Sequence, residues 1–513
     1  MALSTDSRSA TRAVALSVFS VLAFATFASV LRSPFQPLVG DTPGGPFVWL
    51  AKSIHADALP GNLLVAVGLV VIALSIVSFL LLLREAWRGN VSLRTVLVLV
   101  VAYHVVVLML PLLFSRDVYS YAFYGRIVGI YHGNPYVQTP LTYASDPGVR
   151  QLWNLVGPRW VDTPAVYGPL FSTIAGGIAR AFGSTSGQVD AYRVLAIVSS
   201  LATVAVIVWT TRAIWPSRSA FAAVAFGANP VILFHSVASA HNDVLVALSI
   251  ALALAFVVRG RELPAIAVLT LGASIKASAV LPLILLVLWC VVRRPPGSRL
   301  RAFFTHAGLA AGLVALISAP YMQLHDPSLG MLELAGHEGW LAPSYFLRQI
   351  PDTITFHVLG DFLGALVRTA FLVGLVFAFA VVAREVYRRA ATLSPRGQGA
   401  AWGWSLLLLM LLGPVLLPWY VVWAMPLAWL LPRAARTALI GTGVALALSQ
   451  WCTEVALYDG AFRLSQQVAH WIFAPVVIVL LIWLLLDLRR RVLTGLPFES
   501  EEDEDLPAVA GRV

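Results

Sequence analysis

The chain has 513 residues, of which 59% are hydrophobic and only 12% charged, about half the charged fraction of a typical soluble domain. Its formal charge is +10, from 35 basic and 25 acidic residues. The arginines flank apolar runs rather than forming a basic surface, so they mark membrane topology and argue against nucleic-acid binding. Apolar runs of about twenty residues recur from end to end, and that pattern gives an all-α, polytopic transmembrane bundle.

In chain order the apolar runs fall at 13–31, 63–83, 95–114, 190–211, 219–236, 243–258, 264–275, 278–292, 302–320, 357–383, 403–417, 419–432, 437–456 and 467–488, fourteen membrane segments in all. The first follows Arg8 and Arg12 and could pass for a signal peptide; with so many later spans it reads as an uncleaved helix. Arg84, Arg88 and Arg94 place the connection between the second and third runs in the cytoplasm. Arg212 and Arg218, Arg259 and Arg261, Arg293 to Arg301, Arg384 to Arg396, Arg433 and Arg436, and Arg489 to Arg491 do the same further on. Both termini then fall on the cytoplasmic side of a bacterial cell membrane, with residues 115–189 and 321–356 as long outer loops.

The crossing count leaves no room for Tyr167 to Phe182, "YGPLFSTIAGGIARAF", to traverse, so it is expected as a juxtamembrane helix at the outer leaflet. Gly260 to Arg294, with "GASIKAS" at its middle, and Trp404 to Arg433, with "GPVLLPWY", read as broken hairpins of half-helices. Three regions result. Residues 1–94 hold the N-terminal transmembrane helices and 95–488 the catalytic transmembrane region, while 489–513 is an acidic tail expected to be disordered. Asp503 and Asp505 form a D-x-D in that tail, and "NVS" at Asn90 lies on the cytoplasmic side; both read as coincidence. Cys290 and Cys452 sit in apolar runs and define neither a disulfide framework nor a metal site. No Walker-A loop, H-E-x-x-H or C-x-x-C is present, which argues against a nucleotide-driven pump.

The stretch with chemical character is "FSRDVYSYAFYGRIVGIYHGNPY", Phe114 to Tyr136, directly after the third run. Asp117 sits where that run ends, and a partly desolvated carboxylate there gains the proton affinity of a general base. Arg116 and Arg126 can hold phosphate oxygens. Tyr119, Tyr121, Tyr124, Tyr131 and Tyr136 offer the rings and hydroxyls that sugars require; an interfacial aromatic belt with a paired surface aspartate accounts for these residues equally well. His241, Asn242 and Asp243, in "NPVILFHSVASAHNDVL", are costly at a span start unless wet or paired, although they could also cap the helix. Lys276 at the hairpin tip and Arg348 in "SYFLRQIPD" are further outer cations, and Trp419, Tyr420 and Trp423 lie near the same face. Together they equip an outer cavity to move a sugar from a lipid-borne phosphate.

In order, "RDVYSYAFYGRIVGIYHGNPY", "VYGPL", "NPVILFHSVASAHNDV", "IKASAVLPL" and "PWYVVWAMPL" resemble the GT-C superfamily of integral-membrane glycosyltransferases. More narrowly they are similar to the actinobacterial-type polyprenyl-phosphomannose-dependent α-1,6-mannosyltransferases. The resemblance implies an essential aspartate at Asp117, an acidic position at His241 to Asp243, and Lys276 as a donor-phosphate ligand. It also implies transfer to a glycan or lipoglycan with inversion, and neither metal nor other cofactor. Asn134, Asp162 and Tyr167 join the candidate substrate-binding set, with Asp162 or Asp243 as the second carboxylate. The expected partners are the lipid-linked donor, the acceptor and membrane lipids, around a monomer. The alternatives are transfer of arabinose or glucose from the same carrier, or a secondary transporter or lipid flippase; the polar residues cluster on one face and no internal repeat is found, which favours the transferase.

Overall fold

Runs of leucine, valine and alanine that shed water must satisfy their own backbone hydrogen bonds, and the helix does so within a single segment. In the computed structural model, which describes residues 5–37, 45–322, 339, 341–354, 360–453 and 455–500, the elements are accordingly helical, with no strand among the described residues. The principal helices are α1 (Thr5–Ala28), α2 (Gly61–Trp87), α3 (Leu93–Leu108), α4 (Asp117–Gly129), α5 (Pro169–Ala181) and α6 (Thr185–Ile214). They continue with α7 (Ser219–Gly227), α8 (Asp243–Val258), α9 (Glu262–Ala273), α10 (Val280–Val292), α11 (Arg299–Ser318) and α12 (Pro343–Ile354). The last are α13 (Gly360–Arg389), α14 (Pro395–Leu412), α15 (Arg433–Ser449), α16 (Val455–Val468) and α17 (Ala474–Thr494).

Among the described residues, six helical stretches are long and apolar enough to cross a bilayer: Arg8–Ala28, Gly61–Trp87, Thr185–Ile214, Pro296–Tyr321, Phe362–Arg389 and Leu457–Thr494. A seventh forms if Pro216–Gly227 and the π-helical Val231–Val237, bent by 44°, make one span. The remaining expected segments are shorter. α3, α8, α9 and the stretch Ala277–Val292 are apolar but only 10–17 residues long, and 419–432 is a series of single turns, Pro418–Tyr420, Val421–Ala424 and Met425–Leu427. The first broken hairpin is present as α9 and α10 on either side of Lys276. The second has one full arm, α14, and an arm broken by Pro426, whose ring cannot continue the helix.

α5 has 13 residues, about 20 Å of rise, too short to span the hydrocarbon core. It lies against α4 at very close range. A Cβ on Gly125 would sit 2.5 Å from the Ala175 carbonyl oxygen, and one on Gly129 would sit 2.3 Å from that of Gly176. Small residues one turn apart thus let two backbones touch, the usual device for apposing helices in lipid. Arg193 of α6, also buried, donates to the carbonyls of Val107, Leu108 and Leu110. It thereby satisfies the orphan C-terminal acceptors of α3.

The tail departs from expectation at its start. α17 runs to Thr494, and the chain beyond it docks: Phe498 is buried, Trp404 Nε1 donates to its carbonyl at 3.2 Å, and Ser500 N donates to Leu430 O at 2.9 Å. One aromatic side chain in an otherwise acidic run supplies the apolar anchor that the charge count concealed. Residues 501–513, including Asp503 and Asp505, lie outside the described residues, as does most of the outer segment 321–356.

Replacing Gly129 by alanine should push α4 and α5 apart and lower stability by about 1–3 kcal/mol, read as an earlier thermal unfolding midpoint of the detergent-solubilised protein.

Candidate active site

Two tight turns create the site, and in both a residue other than glycine takes a left-handed backbone. Phe114 (φ 58°) turns the chain out of α3 into Ser115, Arg116 and Asp117, and Ala240 (φ 57°) turns it out of the π-helical stretch into His241, Asn242 and Asp243. Such conformations cost free energy and persist where the surroundings fix them. Here each turn fixes the other. The Ser239 hydroxyl lies within hydrogen-bonding distance of the carbonyls of Leu113 and Phe234, and the Phe114 ring stacks on His235 at 4.1 Å.

Asp117 opens α4, where the helix N-terminus favours a carboxylate, and its backbone N–H donates to the Ser115 hydroxyl at 3.1 Å. The side chain keeps 22% of its surface exposed, and its Oδ2 lies 3.6 Å from His241 Nδ1. Desolvation pushes the carboxyl up to about 6; the Lys276 charge and the Ser115 hydroxyl pull it down, and Asp243 pushes it further up. The His241 ring lies flat on Trp419 at 3.9 Å, and its Nδ1 is 3.3 Å from the Tyr121 hydroxyl.

Behind this pair stands a second one. Asp243, whose side chain is fully buried, receives Lys276 Nζ and Trp423 Nε1 on the same oxygen, both at 2.7 Å. Lys276 also lies 4.6 Å from the Tyr420 ring centre and 5.3 Å from that of Trp423, and those two rings stack at 4.1 Å. The other Asp243 oxygen, both side-chain amide atoms of Asn242 and His241 Nε2 are buried without a hydrogen-bond partner among the described residues. Polar atoms so placed are normally satisfied.

The "VYGPL" segment holds the lysine in position. Gly168 N donates to Ile275 O and Leu170 N to Ser274 O, both at 2.9 Å, and a Cβ on Gly168 would sit 2.2 Å from the Ser274 oxygen. Tyr167 then packs edge-on to Tyr121 at 4.9 Å, with Phe171 and Tyr192 around them. Burial pushes both the Tyr121 and Tyr167 phenols well above their ordinary value.

The structure thus brings together Asp117, Tyr121, His241, Asp243, Lys276, Trp419 and Tyr420, with Asn242 beside them and Tyr167 behind. It does not bring in every expected residue. Arg116 directs Nε and an Nη at the Pro37 carbonyl, at 3.0 and 2.8 Å, and Arg126 turns to Gln188, Thr185 and Gly148 O. Arg348 lies over Tyr345 on α12. Asp162 is exposed, 3.5 Å from the Thr139 hydroxyl, so Asp243 is the carboxylate that lies beside Asp117's neighbours. Tyr124 donates to Thr163 O, Tyr136 to Tyr167 O, and Asn134 to Tyr321 O, which makes them braces of the loop behind the site. Ser115, Ser239 and Gly168 were not singled out by sequence, since serine and glycine are common and their partners are remote. At the arginine-rich end, Glu262, Cys290 and His306 converge within 4.8 Å. Arg293 and Arg294 both pair with Glu262, and two guanidiniums on one carboxylate oppose a metal cation.

Comparison with known proteins identifies the chain's relatives. An all-helical membrane chain whose relatives transfer mannose falls in the class of membrane glycosyltransferases. The chain belongs to the family described as alpha-(1->6)-mannopyranosyltransferase, N-terminal domain, which matches residues 16–293, more than half of its length. It is 26% identical over 445 residues to alpha-(1->6)-mannopyranosyltransferase A of Mycobacterium tuberculosis, covering 82% of each chain. It is 25% identical over 413 residues to the protein of the same name from Corynebacterium glutamicum, covering 69% of this chain and 80% of the relative. A probable alpha-(1->6)-mannopyranosyltransferase of Mycolicibacterium smegmatis is 28% identical over 446 residues, covering 79% and 76%. No solved structure matches the chain.

Trp423→Phe removes one of the two donors on the buried Asp243 oxygen and should cost about 1–3 kcal/mol, measured by thermal unfolding, with Lys276→Ala in the same background losing more than it does alone, because Asp243 then keeps neither donor.

Proposed function

We propose that the protein transfers a mannosyl residue from a polyprenyl-phosphate donor to a glycan or lipoglycan acceptor at the outer face of the membrane. The reaction proceeds with inversion of the anomeric centre, and Asp117 is the general base. The observation that supports this best is one partly exposed carboxylate, of raised proton affinity, set beside a buried lysine–aspartate pair at the end of a membrane helix.

The chemistry follows from charge. Asp117 takes the proton of the acceptor hydroxyl as its oxygen bonds to the anomeric carbon. The bond from that carbon to the phosphate oxygen breaks on the opposite face, and the electron pair leaves with the polyprenyl phosphate. A β-linked donor therefore gives an α-mannoside. Lys276 has three N–H donors, of which Asp243 engages one; the others are available to the phosphate oxygen on which negative charge develops. Trp419, Tyr420 and Tyr121 supply the ring faces and the hydroxyl that a hexose contacts. The chain's own residues need no metal for these steps: lysine stabilises the leaving phosphate, and the carboxylate accepts the proton.

A base whose proton affinity is centred at about 6 loses activity as pH falls through that value and keeps it above. The same raised value means that ionised Asp117 destabilises the fold at neutral pH, a cost absent below the unfolded pKa and incurred as pH rises through the folded one. Asp117→Asn should therefore lower mannosyl transfer by about 10²- to 10⁴-fold while holding or raising the unfolding midpoint at pH 7. Transfer from polyprenyl-phosphomannose at the wild-type rate would remove the base assignment. Lys276→Gln should raise KM for the lipid donor more than for the acceptor; equal effects on both would remove the phosphate role.

A further inference from the structure

A large cavity whose charged lining is arginine alone lies at the other end of α3 from Asp117. It has a volume of about 1060 Å³ and is framed by the α2–α3 turn, one face of α3 and the segment joining α6 to α7. Its floor is the apolar stripe Leu93, Leu97, Val98 and Val101, with Val98 and Val101 more than half exposed. Arg94 and Arg212 also line it, and no aspartate or glutamate does so among the described residues.

Most neighbouring arginines are already engaged. Arg218 and Arg436 lie over the Trp87 ring, at 3.3 and 4.0 Å, and Arg84 and Arg88 pair with Glu85. Two other cavities with arginine linings carry their own acid, Asp487 in one and Glu262 in the other. Arg94 and Arg212 are exposed and have neither a carboxylate nor a ring partner among the described residues. Two guanidiniums that line one apolar groove suit an anion attached to a hydrocarbon chain, because arginine holds phosphate oxygens bidentately. The stripe from Leu93 to Val101 rises about 12 Å, close to one leaflet of a hydrocarbon core of about 30 Å.

We propose that this groove is a binding site for an anionic glycerophospholipid, with the phosphodiester between Arg94 and Arg212 and an acyl chain along α3. The charge complementarity decides between lipids: a zwitterionic headgroup would bring its own cation against two arginines. The site is distinct from the proposed sugar-transfer site and does not depend on it.

The test uses the purified full-length chain, with native mass spectrometry and thermal unfolding in the presence of phosphatidylglycerol, phosphatidylcholine or inorganic phosphate. Phosphatidylglycerol is expected to bind and raise the unfolding midpoint where the other two do not, and R94Q/R212Q to weaken that binding by about tenfold for each guanidinium removed. Val101→Trp keeps both charges, fills the lipid-facing floor and should weaken the same binding, which covers the case of a double variant that does not fold. Equal shifts with phosphatidylcholine, a full effect from inorganic phosphate, or phosphatidylglycerol affinity unchanged in either variant would overturn the proposal.

Discussion

The contact on which the site depends is the one between Lys276 and Asp243. Both charges are withdrawn from water, the carboxylate completely and the ammonium nearly so, at 2.7 Å from each other. Neither would be tolerated alone at membrane depth, and breaking such a pair from one side costs about 3–5 kcal/mol. The pair therefore fixes the first turn of α8 against the tip between α9 and α10. Trp423 adds a third element by donating to the same oxygen, so three separate parts of the chain share one carboxylate.

That anchor explains how strained backbone persists nearby. Ala240 adopts its left-handed conformation three residues before Asp243, and the Ser239 hydroxyl next to it reaches the Leu113 carbonyl. Phe114 follows at once with its own left-handed turn, three residues before Asp117. The ion pair holds one turn, the serine ties that turn to the other, and the second turn sets the direction of Asp117. Strain near Asp117 is thus borne by packing elsewhere, the arrangement expected where a side chain must be aimed. The π-helical stretch before Ala240 has the same sense, since such windings gather at functional positions.

Much of the site could be read from sequence because ionisable residues in an apolar chain are few and expensive. Asp117, the His241–Asp243 triplet and Lys276 stood out for that reason, and the "GASIKAS" break did lie between two half-helices. What could not be read was partnership. Asp243 and Lys276 are 33 positions apart, and nothing in their neighbours shows that they bind each other and not a substrate. The partners of Arg116 and Arg126 are hidden on the same account, for a guanidinium can be satisfied by carbonyls and neutral side chains far away in sequence. Hydropathy alone gives fourteen apolar segments, of which six stretches among the described residues have the length to cross by themselves, because hydropathy registers apolar content without registering where a helix stops. The start of the tail, as far as Ser500, docks where disorder is expected, because Phe498 is one residue among many acids.

The short helices give the bundle its purpose. α3 and α8 have 16 residues each, α9 has 12 and α10 has 13. At 1.5 Å per residue they rise about 18 to 24 Å, less than the hydrocarbon core of about 30 Å. The C-terminus of α3 leads to Asp117, the N-terminus of α8 carries Asp243, and α9 and α10 end on either side of Lys276. Four helices that fall short therefore fall short at one place. Irregular backbone at membrane depth is tolerable only where protein or water surrounds it, and here the shortfall is filled by the two strained turns, the ion pair and the aromatic rings. Had those helices continued for another turn or two, lipid would meet leucine throughout and no polar group could stand at that depth. The truncation of these spans is thus the feature that lets a membrane bundle present a carboxylate and an ammonium below its surface.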